Sequence, residues 1–151
     1  MFKQLINTDA NSATLFALRI VTAITIFPHG AQKLLGWFGG YGYQGTMQYF
    51  TQTVQVPYLI GLLVILGESL GMIALFFGFA SRFMGASLTI ILTGASFLGG
   101  HYQRSFFMNW FGNQPGEGFE YFLPLLVCSV ILALKGGGKW SIDAWLQKQL
   151  S

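Results

Sequence analysis

The sequence predicts an all-α integral membrane protein: a four-helix bundle with both termini in the cytoplasm and a C-terminal amphipathic helix at the interface. Three observations lead there. Hydrophobic residues make up 53% of the 151 and charged residues only 9%, whereas soluble domains average about 25% charged. Apolar runs recur along the chain, three of them meeting the roughly 20 residues that a bilayer crossing needs. No stretch alternates with a period of two, so no strand is predicted.

The first span covers about 12–36. Asn11 or Ser12 can cap it, and Pro28 is expected to bend it. The second covers about 57–79, with Pro57 at its first turn. The third covers about 82–100. The fourth, about 119–134, is the shortest and meets the length requirement only marginally; Gly136, Gly137 and Gly138 stop it. Spans two and three are apolar nearly all round, unlike the striped helices of a soluble bundle. Segment 141–150 gathers Ile142, Trp145, Leu146 and Gln149 on one side, and is expected to lie on the cytoplasmic surface. The first apolar run is too long for a signal peptide and no small-residue cleavage site follows it, so it reads as an uncleaved helix. The whole chain, 1–151, reads as one domain.

Basic residues set the orientation. With the N-terminus inside, Lys3, Arg82, Lys135, Lys139 and Lys148 lie inside and Lys33 and Arg104 outside, five against two. Both longer connections, 37–56 and 101–118, then face outward. The first carries Trp37, Phe38, Tyr41, Tyr43, Tyr49 and Phe50, and the second Tyr102, Phe106, Phe107, Trp110 and Phe111. Such rings form an interfacial belt or a lid over a pocket.

Several classes are set aside. The net charge is +3, but the basic residues form no patch, so nucleic acid is not an expected partner. Cys128 is the only cysteine, which rules out an internal disulfide or a CxxC pair. No EXXH pair marks a di-iron bundle, and Lys33 would repel a cation, so no metal is expected. No motif for flavin, NAD, haem or an iron–sulfur cluster is legible, nor any phosphate-binding glycine loop.

The informative residues are the ionisable ones in or beside the spans: Arg19, His29, Lys33, Glu68, Arg82, His101 and Glu120. Charges in a bilayer are costly, face the bundle interior and mark sites. Arg19, Thr22, Ile26, His29 and Lys33 follow steps of three and four and so share a face. Glu68 lies within a GxxxG pattern that draws it to a helix contact. At 1.5 Å per residue, Arg19 comes out about 9 Å and Glu68 about 13 Å above the inner edge of the apolar core. An Arg19–Glu68 ion pair is therefore predicted as a deep layer. His29, Lys33, His101 and Glu120 are predicted as an outer cluster. Histidine suits proton transfer near neutral pH.

The residues also resemble a known family. His29-Gly30-Ala31-Gln32-Lys33-Leu34 is similar to the H-G-x-Q-K-L motif of the DoxX family of small membrane proteins. Gly67-Glu68 and Ser81-Arg82 resemble that family's segments in span two and at the start of span three, and His101 its closing histidine. Gly118-Phe119-Glu120-Tyr121 resembles its entry to span four. Gly138-Lys139-Trp140-Ser141-Ile142-Asp143 resembles its G-x-[YW]-S-[IL]-D ending. The resemblance implies a four-helix protein of the bacterial inner membrane, often described as an oxidoreductase component, with relatives tied to quinone-linked oxidation.

Two functions follow as expectations. In the first, a quinone or other small lipophilic substrate enters from the periplasmic side, His29, Glu120 and His101 carry out acid–base work, and Lys33, Trp37, Arg19 and Glu68 bind the substrate. Electrons then pass through a membrane or redox partner protein or a bound cofactor. In the second, the chain is a non-enzymatic module that binds a lipid or small molecule, or an assembly subunit for a partner membrane protein. Membrane lipid is a partner in both.

Overall fold

The computed structural model describes residues 2–114 and 116–150, without the side chains of Phe2, Tyr102 and Arg104; the expectations placed on Tyr102 and Arg104 lie outside the described residues. Among the described residues every regular element is helical. A short α1 (Phe2–Leu5) precedes α2 (Ala13–Leu35), which Ser12 caps by accepting the Leu15 N–H at 3.2 Å. Pro28 sits inside α2, and the helix runs through it. Gly36, at φ 74°, ends it in the left-handed conformation that glycine adopts without strain. A 3₁₀ turn (Trp37–Gly39), α3 (Gly42–Gln48) and a π-helical turn (Tyr49–Thr53) form the first long connection.

The second span is not one helix. It divides into α4 (Tyr58–Glu68) and α5 (Leu70–Phe77), with a break at Ser69, whose φ and ψ are −102° and −83°. The span expected over about 57–79 is thus built of two helical segments in succession. The Ser69 hydroxyl donates to the Ile65 carbonyl at 2.6 Å, a competing bond that bends helices. On the other side Gly30 of α2 presses so closely that a Cβ there would collide with the Glu68 carbonyl and the Ser69 nitrogen. Beyond α5 come α6 (Ser81–Leu98), α7 (His101–Arg104), a 3₁₀ turn (Phe119–Tyr121), α8 (Phe122–Lys135) and α9 (Ile142–Gln149).

The register of α2 against the second span is fixed at two places. Gly30 meets Glu68, and Arg19 meets Gly78, where a Cβ would collide with Nη1. Eleven residues separate one pair and ten the other, about 16 Å and 15 Å of helix, as two antiparallel helices require. The core between them and α6 and α8 holds Ala23, Ile26, Met72, Leu75, Leu88, Leu92 and Leu132. Gly85 lets α6 touch the backbone of α8, and the Thr89 hydroxyl donates to the Ser129 hydroxyl at 2.8 Å.

Among the described residues three helices are long and apolar enough to cross a membrane: Ala13–Leu35, Tyr58–Phe77 taken across its break, and Ser81–Leu98. Their outward residues are apolar, with Val21, Leu59 and Ile90 among the most exposed, so lipid is the natural solvent for these faces. Helix α8 has 14 residues, about 21 Å, which is shorter than the roughly 30 Å apolar core of a bilayer.

The tail forms the expected helix, α9, and the stretch of chain leading into it is anchored to the bundle. Its first half is threaded into the end of the bundle that carries the termini. The Gly138 N–H donates to the Thr8 hydroxyl at 2.8 Å and the Lys139 N–H to the Ser12 carbonyl at 3.0 Å. Ser141 caps α9 by accepting the Ala144 N–H. Asp143 is 1% exposed and accepts the N–H groups of Ala80 and Ser81 at 2.8 and 2.7 Å. It thereby caps the N-terminus of α6, where a negative charge is favoured. Trp145 remains exposed.

Candidate functional site

Two polar centres occupy opposite ends of α2. At the terminal end, Arg19 is buried to 1% exposure. Its Nη2 donates to the Trp140 carbonyl at 3.3 Å, its guanidinium lies 5.3 Å from the Phe16 ring centroid, and Asp143 is the carboxylate whose charge reaches it. Among the described residues Nε and Nη1 of Arg19 make no hydrogen bond. The predicted Arg19–Glu68 pair is therefore corrected. Arg19 is level with Gly78, about ten residues of helix from Glu68, beyond the reach of its side chain.

At the other centre, Glu68 forms an ion pair with Lys33. Glu68 is 8% and Lys33 27% exposed in the side chain. The arrangement follows from the register: Gly30 is level with Glu68, and Lys33 stands one turn further on, close enough for its long side chain to return. One turn back, on the same face, the His29 Nε2 hydrogen-bonds the Tyr121 hydroxyl at 3.1 Å, either atom donating according to the tautomer. The charges of Lys33 and Glu68 both reach the His29 ring. Glu68, Lys33, His29 and Tyr121 thus form one polar stripe, drawn from α4, α2 and the turn before α8.

The other two members of the predicted outer cluster turn elsewhere. The His101 Nδ1 donates to the Glu117 carbonyl at 2.6 Å, and its ring packs on Phe122 at 5.0 Å. Glu120 accepts the Met108 N–H at 3.1 Å, and Glu117 accepts the Asn109 N–H at 2.9 Å. These three residues tie down the second long connection. Among the described residues no side-chain bond joins Glu120 or His101 to His29 or Lys33. Trp37 lies exposed at the rim, edge-on to Phe38 at 6.4 Å. Among the described residues no three of His, Cys, Asp and Glu gather as metal ligands would.

Tyr121 and Asp143 escaped the reading of the sequence as site residues. Tyr121 directly follows Glu120 in a segment already singled out. Nothing in its apolar surroundings marks the hydroxyl except that a buried tyrosine must find a partner. Asp143 carried a usable signal: a serine two residues ahead of it, at the start of an amphipathic run, announces a helix N-terminus.

Chemically, the stripe offers an ammonium, a carboxylate, an imidazole and a phenol in a bundle of apolar helices. Such groups can donate to a ligand oxygen and exchange a proton with it. Comparison with known proteins gives the setting. The DoxX family model matches residues 14–101. A Bacillus subtilis (strain 168) protein described as "Putative oxidoreductase CatD" is 30% identical over 131 residues, covering 87% of this chain and 85% of its own. No solved structure matches the chain.

Proposed function

Because the chain belongs to the DoxX family, we propose that it is a redox-associated protein of the bacterial inner membrane that engages a quinone, or a small lipophilic molecule of similar chemistry. The proposal takes the chain as one domain over 1–151. In it α8, with the turn before it, makes a fourth crossing, both termini face the cytoplasm, and the ligand enters from the periplasmic side past Trp37.

The observation that carries the reading is the meeting of His29, Tyr121, Lys33 and Glu68 between apolar helices. A quinone exchanges protons together with electrons and presents carbonyl or hydroxyl oxygens. Lys33 donates to such an oxygen while Glu68 balances its charge. His29 carries the proton, since imidazole changes charge near neutral pH. Tyr121 holds the ring of His29 in place and supplies a second donor. His101 and Glu120 serve the connection above the site. Electrons are exchanged with a redox partner protein. Arg19 has no part in this site, because it belongs to the opposite end of the bundle.

The test is mass spectrometry of small molecules retained by gently purified protein, wild type against His29→Ala. A quinone or related lipid present in the wild type and lost from a folded variant supports the proposal. If both proteins are folded and empty, the reading gives way to that of an assembly subunit, and cross-linking for a partner protein follows.

A further inference from the structure

We propose that Glu117 and Glu120 form a proton-released clasp that holds segment 105–114 closed and, through the turn they share with Tyr121, sets the hydrogen bond between Tyr121 and His29. The inference rests on the reading of His29 and Tyr121 as the working pair and adds a means of regulating them.

The clasp has two parallel bonds. Glu120 accepts the Met108 N–H and Glu117 accepts the Asn109 N–H, so neighbouring amides on one side of the loop answer to two carboxylates on the other. Asn109 then folds the segment on itself, donating to the Gln114 carbonyl at 3.0 Å and accepting its N–H at 3.1 Å. The backbone adds a short ladder, Phe119 N–H to Ser105 carbonyl at 3.0 Å and Glu120 N–H to Phe106 carbonyl at 2.8 Å. His101, from α7, donates to the Glu117 carbonyl.

The aromatic side chains of the segment face outward. Phe106, Phe107, Trp110 and Phe111 are all more than half exposed, Phe111 to 90%. Hydrogen bonds to ionised acceptors are about twice as strong as neutral ones, so the two carboxylates are the strongest ties the segment has. A carboxyl group that loses its negative charge is the weaker acceptor, so each of these bonds depends on the charge. The imidazole of His101 donates from Nδ1 whether neutral or charged and so does not oppose release. Among the described residues the other ionisable groups near the turn are Tyr121 itself and, beyond it, His29 and Lys33 of α2 and Glu68 of α4. Tyr121 directly follows Glu120, and its own N–H is fixed to the Gly118 carbonyl at 3.2 Å. Freeing Glu120 therefore frees the base from which the phenol reaches His29.

The experiment uses the full chain in nanodiscs of uncharged phosphatidylcholine, with no quinone added. Amide exchange is followed at about pH 7.5 and about pH 4, a step that spans the range in which carboxylates take up protons. Each carboxylate bond released lowers protection of the Met108 and Asn109 amides roughly tenfold after correction for intrinsic rates. The amides of α2, α5 and α6 keep theirs. With histidine ¹⁵N-labelled, the ring nitrogens of just two residues are seen. The His29 signal moves in Glu120→Gln at pH 7.5 in the same direction as in Tyr121→Phe.

Equal protection at both pH values in the wild type overturns the clasp without recourse to any variant. A His29 signal that stays put in Glu120→Gln while it moves in Tyr121→Phe overturns the link to the site. An empty quinone assay beside a pH-released segment would defeat the proposed function and leave the clasp standing.

Discussion

Replacing Lys33 with methionine removes the ammonium that Glu68 faces and leaves a carboxylate 8% exposed without its counter-ion. Breaking a buried pair by removing one partner costs about 3–5 kcal/mol. Lys33 is 27% exposed, so water screens part of the interaction and the expected loss is nearer 2–3 kcal/mol. Adding Glu68→Gln to Lys33→Met removes the stranded charge. The double variant then recovers most of that loss, giving a coupling of about 1.5–3 kcal/mol, as contacting residues do. The same cycle between Arg19→Met and Glu68→Gln is additive, because Arg19 is level with Gly78, about ten residues of helix from Glu68. Both cycles can be read from reversible unfolding in mixed detergent micelles. Rescue of Arg19→Met by Glu68→Gln, with no coupling between Lys33 and Glu68, would refute the register on which the site is built.

Three further outcomes are expected. Asp143→Ala strands the Ala80 and Ser81 amides and leaves Arg19 without a carboxylate; it costs about 3–5 kcal/mol in the same unfolding assay, and Asp143→Asn costs less because it keeps an acceptor. Gly30→Ala drives a Cβ into the Glu68–Ser69 backbone; the forced separation of α2 from α4 costs about 3 kcal/mol, and a variant as stable as wild type would contradict the packing. The Tyr43 hydroxyl shares a 2.5 Å bond with that of Tyr58, and that bond, ahead of burial and the charge of Tyr58, raises the Tyr43 pKa. The stability lent by the pair is thus fully present below about pH 10 and is lost as pH rises through the raised value. Ultraviolet titration of Tyr58→Phe should show the Tyr43 transition at lower pH than in the wild type.

Periodicity and composition made the three long apolar helices legible, and the shared face of His29 and Lys33 with them. The partner of Glu68 was not legible, for a definite reason. The depth estimate started both helices at the faces of one slab and treated each as straight. The real register comes from Gly30 seated against Glu68. This contact depends on the absence of a side chain, and a hydrophobicity profile does not record it. The break at Ser69 was hidden in the same way, because serine in an apolar helix is unremarkable until its hydroxyl bonds back to Ile65. His101 and Glu120 were grouped with His29 by depth alone. Depth does not say which way a residue at a helix end turns, and both turn to the backbone of the adjoining loop. The tail was read by its apolar stripe, and its polar residues decided where it went.

That docking of the tail has a consequence for biosynthesis. Arg19 lies in the first long helix to leave the ribosome, whereas the Trp140 carbonyl it binds is made 121 residues later, and Asp143 later still. Until that segment emerges, the nascent chain carries Arg19 in an apolar helix without the carbonyl and the carboxylate that answer it in the folded protein. Segment 138–143 relieves that burden when it docks, and the first long helix can settle with it. A chain cut before Trp140 keeps Arg19 without either of these partners.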